Sequence, residues 1–236
     1  MRLISKAAAA VAVPLLVTAC ASAPPAAPAK HTGPTANPAA AADPDAGLLT
    51  GTELKSMLVP GSWFPAGFTA DPNGSVNTGS SYQQPSPAAA GAPACARLDG
   101  TAWVVLGGVG SVSFAQDDYI DQSTSEQYAQ EIDVFPGTGA RQVMTGLRAL
   151  SRTCPSFEDQ QTSSTVSVKL RQGPRLGDDA LTFLLDSPRW QGGTALEAVR
   201  IGTAVITVLY SADSGTGRAQ ATRLASAIAA KLAPRA

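Results

Sequence analysis

The sequence predicts an α+β fold: a twisted antiparallel sheet with helices packed on one face, in a single domain. Three observations carry this. "STVSVKLR" (164–171) alternates, with Val166, Val168 and Leu170 on one side and Ser167, Lys169 and Arg171 on the other. A strand with one wet face belongs to an antiparallel sheet rather than a parallel one. "LEAVRIGTAVITVLY" (196–210) reads as a hairpin turning at Gly202-Thr203. Helical periodicities fall between strands without alternating regularly with them, unlike the pattern of a parallel α/β sheet.

The chain opens as an export signal over residues 1–19. Arg2 and Lys6 supply a short positive start and Ala7 to Val17 an apolar run, too short to span a bilayer and of the length of a signal core. Val17-Thr18-Ala19-Cys20 resembles a bacterial lipobox, which predicts that Cys20 is acylated (palmitate-type chains) and becomes the mature N-terminus. One chain holds weakly at about 0.8 kcal/mol per buried methylene, whereas several hold firmly. The expected place is therefore the extracytoplasmic face of a cell membrane, lipid-anchored. The full chain has 17 basic and 18 acidic side chains. Removing Arg2 and Lys6 leaves 15 against 18, a mature charge near −3. That excludes the concentrated basic surface a nucleic-acid partner requires.

Residues 20–47 read as a tether. In 21–46, 17 of 26 residues are Ala or Pro, a composition that cannot bury a core and predicts disorder. The only histidine, His31, lies inside it. A folded part without histidine excludes a Ser–His–Asp triad, a Cys–His pair and a histidine zinc site.

Residues 48–236 form the globular part, of a size for one domain. "TGTELKSMLV" predicts a short helix capped by Thr50 or Thr52, with Leu54, Met57 and Leu58 on one face and a stop at Pro60-Gly61. Residues 61–93 are irregular, rich in Gly, Pro, Ser and Asn, with Trp63, Phe64, Phe68 and Tyr82 scattered through them. Such a segment is functional or disordered, and "SPAAAGAPA" (86–94) reads as an insertion. "ACARLDGTAW" (94–103) suits a helical turn, and strands are expected at 111–116 and 127–134. A helix from Thr138 carries Val143, Leu147 and Leu150 on one stripe. "ALTFLLD" (180–186) adds a strand. The arm 204–210 is apolar on both faces and therefore central. The last helix buries Leu224, Ile228 and Leu232, with Ser214 or Thr216 as its cap. With Cys20 lipidated, Cys95 and Cys154 remain as an even pair in an oxidising compartment, which predicts a disulfide.

"LLTGTELKSMLVPGSWFPAGF", Cys95, the helix ending at Cys154, "LGDDAL" (176–181), "AVRIGTAVITVLY" and the terminal amphipathic helix together resemble actinobacterial sensor-domain lipoproteins. These are similar to the extracellular sensor domain of mycobacterial PknH-type serine/threonine kinases. The resemblance covers most of residues 48–233. It implies an α+β domain whose sheet and helices border a cleft for an extracytoplasmic ligand.

Other motifs are given structural readings. "GGVGS" (107–111) lacks the spacing of a dinucleotide loop and reads as a turn. Asp117, Asp118 and Asp121 lack the spacing of a calcium loop and read as a solvated acidic edge. Asp178 or Asp179 is expected to hold backbone amides, a carboxylate pair for glycoside hydrolysis being the lesser alternative. Gly215 and Gly217 could cradle an anion at a helix start, though capping is the simpler use. The function expected is non-catalytic: a ligand-binding or sensor-like domain, without cofactor or metal, taking a small or apolar envelope molecule against Trp63, Phe64, Phe68 and Trp103. A module docking another envelope protein is the alternative, and a hydrolase a distant third.

Overall fold

The computed structural model describes residues 47–85 and 91–233. The signal, Cys20, the tether and part of the 86–94 insertion therefore lie outside the described residues.

The elements run α1 (Gly51–Met57), β1 (Phe68–Ala70), β2 (Val76–Asn77), β3 (Ser113–Asp121), β4 (Gln127–Val134), α2 (Gly139–Thr153), β5 (Ser156–Asp159), β6 (Ser164–Gln172), β7 (Asp179–Asp186), β8 (Thr194–Ile201), β9 (Ala204–Ser211) and α3 (Arg218–Leu232). Three 3-10 segments, Gly61–Trp63, Cys95–Asp99 and Trp103–Gly107, lie in the long connections. The strands form one nine-stranded sheet in the order β1-β3-β4-β9-β8-β7-β6-β5, with β2 also pairing the outer side of β3. Every pairing is antiparallel.

The helix starts follow local chemistry in one case and not in another. At α1, Thr50 and Glu53 form a reciprocal capping box, satisfying backbone donors that the first turn leaves free. At α3 the cap is Gly217, with φ +67° and no side-chain bond, so neither Ser214 nor Thr216 serves. The hairpin turns at Gly202-Thr203 as expected, and β9 lies centrally between β4 and β8.

The helices divide between the two faces of the sheet, where the sequence reading placed them on one. Leu54 and Leu58 of the α1 region and Ala221, Leu224, Ala225 and Ile228 of α3 pack with Ile132, Val199, Ile206 and Val208. On the reverse side, Val143, Met144, Leu147 and Leu150 of α2 pack with Val166, Phe183, Leu196, Ala198 and Val205. Alternate residues of β8 and β9 thus serve opposite cores, which is why both strands are apolar along almost their whole length. Each fully buried Leu or Ile contributes about 1.5–3 kcal/mol of transfer free energy, so a sheet covered twice draws on two cores.

One consequence positions the site. α2 contacts β6, β7 and β8 and the 3-10 segment Trp103–Gly107, but does not lie along β3 and β4. That segment sits beside α2, and the two meet through glycines. A Cβ at Gly146 would come within 2.2 Å of the Gly107 carbonyl oxygen, so only glycine permits the approach. This is the use of the first glycine in "GGVGS".

Candidate functional site

Between α2, the Trp103–Gly107 segment and Phe114, Gln116, Glu131 and Asp133 of β3 and β4 is a cleft of about 910 Å³. Its walls include Val104, Leu106, Val109, Phe135 and Leu150, and Gln116, Glu131 and Asp133 line it from the sheet. The size and the apolar walls with few polar groups are those of a small-molecule pocket. At the rim, Ala94 and Thr153 flank the disulfide, which joins Cys95 to Cys154 at a Cα separation of 5.5 Å. The bond fastens the Cys95–Asp99 segment to the end of α2.

The acidic floor follows from strand periodicity. Glu131 and Asp133 are two apart on β4 and point to the same side, opposite Gln116 and Phe114 of β3 in the register. Both are nearly fully buried, at 4% and 3% exposure. Burial pushes the Asp133 carboxyl up to about 7, with Ser111 and then Glu131 acting against it. Glu131 is raised well above its ordinary value, first by burial and then by the Asp133 charge. Among the described residues, no donor reaches Glu131 Oε2 or Asp133 Oδ2. The two acids can hydrogen-bond each other only with a proton between them, so at neutral pH the pair carries fewer than two charges.

Asp118, a strand neighbour of this floor, is held by Gln116. The Gln116 Nε2 donates to both Asp118 oxygens at 3.0 and 2.9 Å and to Thr101 Oγ1 at 2.9 Å. Burial nevertheless lifts Asp118 to about 6. The three aspartates expected as a solvated edge are instead built in. Asp117 pairs with Lys55 at 2.5 Å, and Asp121 accepts from Ser123 N at 2.8 Å and Ser123 Oγ at 2.6 Å in the β3–β4 turn. Among the described residues, no group of three or more His, Cys, Asp or Glu is placed to hold a metal ion.

The four aromatics expected to line a ligand cleft are not brought together. Trp63, Phe64 and Phe68 cluster with Tyr119 and Tyr128 on the α1/α3 face. Arg223 of α3 stands 4.9 Å above the Trp63 ring centre. Trp103 lies on the opposite face, fully buried and edge-on to Phe183. None of the four lines the cleft.

Asp178 and Asp179 are clasps. Asp178 accepts from Gly202 N and from Arg200, each at 2.8 Å, holding the β8–β9 turn. Asp179 forms a two-point pair with Arg148, one contact at 2.7 Å, and so ties β7 to α2. With both carboxylates committed to cations, they do not form an acid–base pair. Gly215 and Gly217 both have positive φ and lead into α3.

Architecture and cleft define an α+β domain with one open, doubly covered antiparallel sheet and a side pocket floored by buried acids. Among solved structures, the fold is similar to that of the extracellular domain of PknH from Mycobacterium tuberculosis, with a TM-score of 0.53 at 11% sequence identity. The similarity covers 78% of this chain and 97% of that one. No protein-family model and no curated protein sequence matches the chain. Among the described residues, no helix is long and apolar enough to cross a membrane.

Proposed function

We propose that the protein is a non-catalytic, ligand-binding domain of sensor-like type, held outside the cell by lipid on Cys20. The observation that carries this reading is the cleft: an apolar-walled space of about 910 Å³ in which one oxygen of each buried acid, Glu131 Oε2 and Asp133 Oδ2, meets no donor among the described residues. Buried acceptors without partners are unfavourable, and an occupant that supplies donors removes that cost. The likeness in fold to the extracellular domain of a kinase supports an extracytoplasmic place for such a domain. The ligand site proposed is the cleft rather than the aromatic cluster at Trp63, Phe64 and Phe68.

The competing reading, a surface that docks an envelope protein, has less to support it. Among the described residues the exposed large hydrophobics are Val76, Tyr82 and Val105, and Val76 and Val105 border the cleft itself. Native mass spectrometry of the protein purified from its own membrane tests the proposal. A retained small molecule, lost when Ala149→Trp fills the cleft, is the expected result. Retention unaffected by that substitution in folded protein refutes the site.

A further inference from the structure

The chemistry of the cleft floor narrows what the occupant can be. Glu131 and Asp133 are side chains more than nine-tenths buried, and they line an open cleft rather than a closed core. Glu131 Oε2 and Asp133 Oδ2 meet no donor. A proton between the acids satisfies one contact and leaves the pair with acceptor capacity and, since Asp133 is raised to about 7, part of a negative charge at neutral pH. Asp118 adds to the same field, since its charge reaches Glu131. Arg97 is the cation among the lining residues, and it is exposed at the rim. Among the described residues lining the cleft, no buried cation therefore neutralises the floor.

Three ligand classes can be compared on that ground. A carboxylate or phosphate head would bring like charge against the pair and supply no donors. A neutral hydroxyl supplies one donor and leaves the charge uncompensated. An ammonium or amidinium group supplies several donors and opposes the charge, and charge-assisted hydrogen bonds are roughly twice as strong as neutral ones. The apolar walls, Val104, Val109, Phe135 and Leu150 among them, call for a hydrocarbon body behind that head.

We infer that the cleft takes a cationic amphiphile, its nitrogen head seated on Glu131 and Asp133 and its apolar body laid along the wall between α2 and the Trp103–Gly107 segment. This rests on the cleft being a ligand site, as proposed above, and adds the sign and class of the ligand. A metal ion is a poorer occupant, because the floor offers two closely placed acids and Gln116 rather than a ligand cage.

Calorimetric titration of the full purified protein at neutral pH with octylammonium chloride, octan-1-ol and sodium octanoate tests the inference. Octylammonium binds at least about tenfold more tightly than octanol, and octanoate does not bind measurably. In the Glu131→Gln, Asp133→Asn double variant, the advantage of octylammonium over octanol is lost. Both substitutions are nearly isosteric and remove buried charge, and near-UV circular dichroism verifies packing. Equal affinity of octylammonium and octanol for the unmodified protein overturns the ligand class and leaves the cleft standing. Failure of all three probes to bind overturns the class and the cleft together.

Discussion

Glu197 offers a direct test of how burial controls this fold. It lies on β8 beneath α3, with none of its surface exposed. The Thr222 hydroxyl of α3 donates to Glu197 Oε2 at 2.8 Å, while no donor reaches Oε1. Burial raises the carboxyl from 4.5 to about 7, against the smaller opposing pulls of Thr222 and Arg218. A raised carboxyl has a definite sign in linkage. Its contribution is complete below about pH 4.5, where folded and unfolded chains are both protonated. It declines as pH rises, because the unfolded chain ionises first, and is gone once pH passes about 7. At about 1.4 kcal/mol for each pH unit between those values, the loss is about 3 kcal/mol. Glu197→Gln keeps the shape and the Thr222 bond but cannot ionise. Urea unfolding followed by far-UV circular dichroism at pH 4 and pH 8 reads the difference. The variant should match the parent within about 1 kcal/mol at pH 4 and exceed it by about 3 kcal/mol at pH 8. The other raised carboxyls are common to both proteins and cancel. A variant-minus-parent difference that is the same at both pH values refutes the reasoning.

The disulfide closes a separation of 59 residues. Cys95→Ser with Cys154→Ser should therefore lower stability by about 4 kcal/mol in urea, and alkylation of unreduced, denatured protein should label neither cysteine. Gly146→Ala drives a methyl into the Gly107 carbonyl and should reduce stability by about 2 kcal/mol or more, seen as a lower Tm. Arg148→Ala breaks a pair whose side chains are 40% and 28% exposed, so its loss in urea unfolding should stay near 1 kcal/mol. Trp63→Ala opens the aromatic cluster on the other face. Thermal unfolding should shift downward while any molecule retained by the cleft stays bound in native mass spectrometry.

Most strands and all three helices were readable because their patterns are local. "STVSVKLR" alternates, Val143, Leu147 and Leu150 recur at helical spacing, and Gly202-Thr203 punctuates a hairpin. The distribution of helices over both faces was not readable, since it depends on which side of the sheet each connection crosses. The cleft was missed for the same reason. "QYAQEIDV" places Glu131 and Asp133 opposite Ile132 and Val134, and such a face is wet unless something covers it. What partly covers it is α2 with the Trp103–Gly107 segment, elements distant in the chain. Two acids at strand spacing between apolar neighbours were the available signal. Trp103, expected with the other aromatics at a ligand cleft, instead fills the α2-side core.

The Cys95–Cys154 bond has a mechanical side. It joins the two banks of the cleft at one end, so that end cannot widen to admit a bulkier guest. Any give must come from elsewhere, as at residues 108–111, where Gly108 and Gly110 line the cleft. On the proposal that the cleft holds a ligand, the bore at the stapled end acts as a fixed gauge on the girth of what it can take.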